Sequence, residues 1–221
     1  MAPKTKDLKL CFIPGYACSG DIFSEISRLF PSSFIVDYPL SSMGKIDTMD
    51  KLCELVLQKY QDQLIDCDAI IGHSLGGGVA MQLSLSPKFK LKKIVLLDYF
   101  LDTPPPFFRN YCSDQTSSQI HQQVKTMLSS LKPHFNIAVT SSGDDYSYDF
   151  LKRRHQINQE KLIAIYGMRS EKDPMIVKKH LNYTNDFDRF IDFYFIEQSA
   201  HFPMLENPSD LHKLLLQTLI C

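Results

Sequence analysis

Short, almost wholly apolar runs recur along this chain and are separated by longer amphipathic segments. A strand buried on both faces shows no polar alternation, and parallel strands need a crossover between them, usually a helix. That rhythm predicts a mostly parallel sheet with helices on both faces, an α/β class fold. The runs are Leu8–Ile13, Ser33–Val36, Ala69–Ile71, Lys93–Asp98, Leu162–Gly167 and Ile191–Ile196. Between them, Ser19–Phe30 reads as a helix with Ser19 at its N-cap and Asp21 in its first turn. From Asp47 a second helix carries Met49, Leu52, Cys53, Val56, Leu57, Tyr60 and Leu64 on one face. Val79–Leu85 reads as helical. The C-terminal helix starts at Pro208 behind Asn207 and buries Leu211, Leu214, Leu215 and Leu219.

Residues 102–158 break the rhythm. They open on Pro104-Pro105-Pro106-Phe107-Phe108 and hold an amphipathic helix on Ile120, Val124, Met127, Leu128 and Leu131, with a weaker helix at Asp145–Arg154. The expected organisation is one domain over residues 1–221, with a core of 1–101 and 159–221 and an inserted lid at 102–158. A chain of 221 residues suits one such domain. Lys+Arg is 24 against Asp+Glu 25, so the basic surplus of a nucleic-acid binder is missing. Six cysteines, at 11, 18, 53, 67, 112 and 221, form no C-x-x-C pair and read as free thiols in a reducing, cytoplasmic setting. The polar start Met1–Asp7 does not read as a secretory signal. The longest stretch without Asp, Glu, Lys or Arg, Ala69–Pro87, contains His73, Gln82, three serines and four glycines, which argues against a membrane span.

The feature richest in chemistry is Gly72-His73-Ser74-Leu75-Gly76-Gly77-Gly78, between strand residues and a helix. In that setting G-x-S-x-G is a nucleophile elbow: the serine sits on a strained turn, and its neighbours must lack side-chain bulk. A serine hydroxyl needs a base. Of seven histidines, His73 adjoins the serine in sequence and should point elsewhere. His201 follows the last apolar run and can reach over the carboxyl ends of a parallel sheet. A histidine base must be neutral, so activity is expected to fall through the imidazole range, about 6.5 for an unperturbed ring.

With these motifs the chain resembles the α/β-hydrolase superfamily, in particular its small-lid esterases and thioesterases. The resemblance rests on Gly72-His73-Ser74-Leu75-Gly76-Gly77, on His201-Phe202-Pro203-Met204-Leu205-Glu206-Asn207-Pro208 and on Phe12-Ile13-Pro14-Gly15-Tyr16. It implies Ser74 as nucleophile, His201 as general base and the backbone N–H groups of Tyr16 and Leu75 as oxyanion hole. The acid implied is Asp173, in the loop after Gly167, with Asp98 at the end of the preceding strand as its rival. Two departures stand out. Pro14 replaces the usual histidine before Gly15, and the N-terminus leaves room for one strand only, so the family's opening hairpin is expected to be missing.

The motifs of phosphate, dinucleotide and zinc-protease sites are absent from the sequence, so no cofactor or metal is expected. The expected activity is hydrolysis of a carboxylic ester or thioester of a small to medium acyl group through an acyl-enzyme. Alternatives are a carrier-protein-linked methyl esterase of the biotin-synthesis type, a lyase or transferase on the same triad, and a non-catalytic binding protein. Phe107, Phe108, Met127, Leu128 and Leu131 either line an acyl pocket or pack the lid onto the core. Lys152-Arg153-Arg154-His155 either meets an acyl carrier protein or coenzyme A, or is a solvated helix face.

Overall fold

Six apolar segments become strands: β1 (Leu10–Ile13), β2 (Phe34–Ile35), β3 (Ala69–His73), β4 (Lys93–Leu97), β5 (Leu162–Gly167) and β6 (Ile191–Ile196). A computed structural model describes residues 8–86, 88–89, 91–101, 110–141, 162–181, 183 and 185–220. The sheet order is β2-β1-β3-β4-β5-β6, and every pairing among the described strands is parallel. β1, β3 and β5 are buried along their whole length, which explains their unbroken apolar sequence. The chain runs outward from β1 to β2, then returns to β3 on the other side of β1. The switch point therefore lies between the carboxyl ends of β1 and β3, the position where open α/β sheets bind ligands.

The helices are α1 (Ser24–Ser27), α2 (Leu40–Met43), α3 (Met49–Ile65), α4 (Leu75–Ser84), α5 (Ser118–Leu131), α6 (Ala138–Ser141), α7 (Pro174–His180), α8 (Asn185–Asp188), α9 (Pro203–Glu206) and α10 (Pro208–Ile220). Helix α3 begins at Thr48, whose hydroxyl accepts from Lys51 N, and buries Met49, Leu52, Cys53, Val56 and Leu64. Helix α10 is capped by Asn207 Oδ1, which accepts from Asp210 N at 3.3 Å.

The helix expected over Ser19–Phe30 is broken. Gly20–Phe23 is 3₁₀, α1 follows, and the chain continues through i→i+3 bonds from Leu29 N to Ile26 O and from Phe30 N to Ser27 O. Its apolar residues Ile22, Phe23, Ile26 and Phe30 are all buried. A Cβ on Gly20 would lie 2.7 Å from Ile35, so packing onto the sheet overrides a regular helix. Ser19 does not cap it and bonds to Asp21 instead.

In the expected lid, the described residues 110–141 include α5 with Ser117 as N-cap, and Val124 and Leu128 are buried in the core. Phe107, Phe108, the helix expected at Asp145–Arg154 and the basic run Lys152–His155 lie outside the described residues. Among the described residues no helix is long and apolar enough to cross a membrane. Cys11, Cys18, Cys53, Cys67 and Cys112 are free thiols.

Candidate active site

Five non-glycine residues among those described have positive φ: Ala17 (54°), Ser74 (49°), Asp98 (44°), Arg169 (56°) and Gln198 (53°). They follow β1, β3, β4, β5 and β6 in turn. Such backbone costs on the order of 1 kcal/mol or more per residue and persists only where packing enforces it. Strain is thus gathered along one edge of the sheet, the carboxyl edge.

Ser74 is the residue between β3 and α4. Its N–H donates to Leu97 O at 3.0 Å, extending the β3–β4 ladder, while its O accepts from Gly77 N at 2.8 Å as α4 begins. The turn is this tight because α4 lies directly on the strands. A Cβ on Gly72 would fall 2.3 Å from Gly76 O, and one on Gly76 would fall 2.2 Å from Ile13 O. Only glycine fits at either position. The loop after β1 presses on the same turn, since a Cβ on Gly15 would be 3.0 Å from Ser74 Cβ. Tyr16 follows, half-buried, its ring 5.3 Å from that of Phe135. Burial, and then Tyr111, push the Tyr16 phenol above its ordinary value. Leu75 is the first residue of α4, where N–H groups lack intrahelical partners.

His201 sits on the loop after β6. Its Nδ1 lies 2.7 Å from Asp98 Oδ2. Asp98 is fully buried at the end of β4. Burial alone would raise its carboxyl, but the Arg169 guanidinium and His201 hold it well below the usual carboxylate range. The ionised carboxylate can only accept, so His201 Nδ1 donates to it, the arrangement that in a neutral ring leaves Nε2 as the acceptor. The backbone of His201 is gripped on both sides: its N–H donates to Tyr111 O at 3.3 Å, and its O accepts from His73 Nε2 at 2.8 Å. The two imidazole rings lie 4.7 Å apart. His73 therefore points under the site, as expected from its place beside Ser74. Burial, and then His201, push it down to about 3, so it serves as a neutral donor.

The expected pairing of Asp173 with His201 is not what forms. Asp173 is exposed and caps α7, its Oδ1 accepting from Met175 N at 2.9 Å. An aspartate before Pro174 is committed to starting a helix. The same loop turns Arg169 inward instead: its Nη2 donates to Asp98 Oδ2 at 2.8 Å and its Nη1 to Asp98 Oδ1 at 3.2 Å. Asp98, the rival, is the carboxylate that meets His201.

No family model and no curated protein matches the sequence of this chain. Its structure is similar to several solved ones. MenH from S. aureus superimposes with a TM-score of 0.70 at 15% identity, covering 99% of this chain and 95% of that one. A carboxylesterase of the thaumarchaeon Nitrososphaera gargenis gives 0.67 at 16% identity, covering 98% and 91%. An α/β hydrolase enzyme from the metagenome of sediments of the Mar Chica lagoon, Morocco, gives 0.65 at 16%, covering 96% and 90%. This is the α/β-hydrolase fold.

Within that fold, sequence reasoning missed Arg169 and Glu206. Glu206, at the end of α9, accepts through Oε2 from Ala200 N at 2.8 Å and Phe202 N at 3.0 Å, the two residues flanking His201. Through Oε1 it accepts from Ser113 N at 2.7 Å and from the Thr116 hydroxyl. One carboxylate thus pins the histidine loop to residues 113–116. The signal available was a glutamate inside the quoted His201–Pro208 motif. For Arg169 there was none. A cleft of about 670 Å³ opens between the 3₁₀ turn and α5, lined by residues including Ser19, Asp21, Ile22, Gln122, Met127 and Leu131. Among the described residues no group of three or more His, Cys, Asp and Glu is placed to hold a metal ion.

Proposed function

We propose that this chain is a cytoplasmic serine hydrolase that cleaves a carboxylic ester or thioester of a small to medium acyl group. The observation that carries the reading is the buried Asp98 carboxylate 2.7 Å from His201 Nδ1, on the same sheet edge as Ser74 with its φ of 49°. In the proposed reaction His201 Nε2 takes the Ser74 Oγ proton as Oγ adds to the acyl carbon. The carbonyl oxygen becomes an oxyanion beside the N–H groups of Tyr16 and Leu75. Collapse breaks the bond to the leaving group, which receives the proton from His201 and departs as an alcohol or thiol. Water then releases the acid from Ser74 by the same steps.

An active-site-directed organophosphonate tests the nucleophile: mass spectrometry should find one adduct, on Ser74, that disappears in Ser74→Ala. No adduct on the folded chain, or one that survives the substitution, contradicts the proposal.

A further inference from the structure

The Asp98 carboxylate is bound on both of its oxygens before it meets the histidine. Oδ1 accepts from Arg169 Nη1 and, at 3.4 Å, from Gly167 N, and Oδ2 is shared by Arg169 Nη2 and His201 Nδ1. Both partners of the ion pair are sealed from water, with side-chain exposures of 2% for Arg169 and 0% for Asp98. Arg169 is itself fixed. Its Nη1 donates to Gly167 O at 3.0 Å, its N to Ser199 O at 2.7 Å, and its O accepts from Ser113 Oγ at 3.4 Å. Ser199 lies two residues before His201, so the arginine ties the acid strand to the histidine loop.

We infer that Arg169 is a positioning residue of the Ser74–Asp98–His201 site, orienting the carboxylate towards His201 and offsetting its charge. The inference rests on the hydrolase reading for its catalytic consequence, but not for its effect on His201. A planar guanidinium matches both carboxylate oxygens and leaves Asp98 one rotamer, in which Oδ2 faces His201. With a neutral imidazole, Arg169 and Asp98 cancel. When His201 accepts the serine proton the buried group becomes net positive. Arg169 therefore lowers the basicity that Asp98 would otherwise confer, and extends action towards lower pH. The other titratable groups facing this unit, among the described residues, are His73, Tyr111 and the Glu206 carboxylate around His201, and Tyr166 and Tyr183 near Asp98. None of them brings a second cation at neutral pH, since His73 is neutral.

Two substitutions separate charge from shape. Arg169→Gln removes the cation, and Arg169→Lys keeps it but loses the fork. The His201 ring is followed by NMR on the histidine-labelled full chain, assigned with His201→Gln. In parallel, kcat and kcat/KM for p-nitrophenyl acetate are measured against pH. In Arg169→Gln the His201 titration midpoint and the acid limb should both move upward by about one pH unit, so that relative activity on that limb drops about tenfold. In Arg169→Lys the limb should stay within a few tenths of a unit while kcat falls about tenfold at unchanged KM. Should Gln prevent folding, the Lys variant decides alone. An unmoved limb and midpoint in Gln, or an unchanged kcat in Lys, overturns the inference and leaves a merely structural ion pair. If the unsubstituted chain hydrolyses no ester, the hydrolase reading fails, and the NMR titration still decides the role of Arg169.

Discussion

His73 shows how one buried side chain carries consequences for both site and stability. In the folded chain its ring stays neutral down to about 3, because burial and then His201 disfavour its charge. In the unfolded chain it takes a proton near 6.5. Between those values the unfolded state binds the extra proton, so stability must fall as pH drops across the window. Asp98 adds nothing to this slope above about pH 4. Its carboxyl is lowered in the folded chain, so its contribution is complete above the unfolded value of about 3.9 and is lost below it. His73→Gln keeps a donor for His201 O and removes the titration. Thermal melts at pH 7.0 and 4.5 should therefore show a smaller drop for His73→Gln, by roughly 2–3 kcal/mol. An equal drop in both chains would mean that His73 is not the group responsible.

At the scale of elements, the strained turn at Ser74 depends on helix α4 lying hard against β1 and β3. A methyl group at Gly76 would meet the backbone of Ile13 and Pro14, which cannot swing aside. Overpacking of this kind costs typically 1–3 kcal/mol, more than the gain of about 1 kcal/mol from alanine in a helix. Gly76→Ala should lower the melting temperature by several degrees. Gly44→Ala is the control, since its Cβ would find only His134 O at an ordinary 3.7 Å. Equal melting temperatures for the two variants would refute the close packing of the elbow.

For the molecule as a whole, the sheet was legible because strands buried on both faces leave continuous apolar sequence, as in Leu162–Gly167, and the half-buried edge strand Ile191–Ile196 is interrupted only by Asp192. The elbow was legible because glycine is obligatory at positions 72 and 76. The acid was not. Asp98 and Asp173 both follow a strand, and the one local sign, Pro174 behind Asp173, marks a helix start but does not show which carboxylate faces the histidine loop. That is decided by long-range packing: Gly167 abuts Ala200 O, where a Cβ would stand at 2.1 Å, and Arg169 turns back at φ 56° onto Asp98. Of the residues read two ways, Leu128 is buried in the core while Met127 and Leu131 line the cleft beside α5. Part of that face is thus spent on packing, which leaves less apolar surface for a long acyl chain. p-Nitrophenyl esters of two to six carbons are expected to turn over fastest, in a comparison of initial rates. A maximum at twelve carbons or beyond would point to a lipase-like groove.

The central claim is that Asp98, not Asp173, sets the tautomer of His201 for attack by Ser74. The most direct measurement is the rate at which an organophosphonate modifies Ser74 in Asp98→Asn and Asp173→Asn. It needs no knowledge of the natural substrate, and folding is checked by circular dichroism because the chain has no tryptophan. An asparagine at 98 can present its amide N–H to the ring and favour the wrong tautomer, so the account predicts a loss on the order of 10³- to 10⁴-fold. Asp173→Asn, which alters only a helix cap, should stay within about tenfold of the unsubstituted chain. A crippled Asp173→Asn beside a reactive Asp98→Asn would contradict the account.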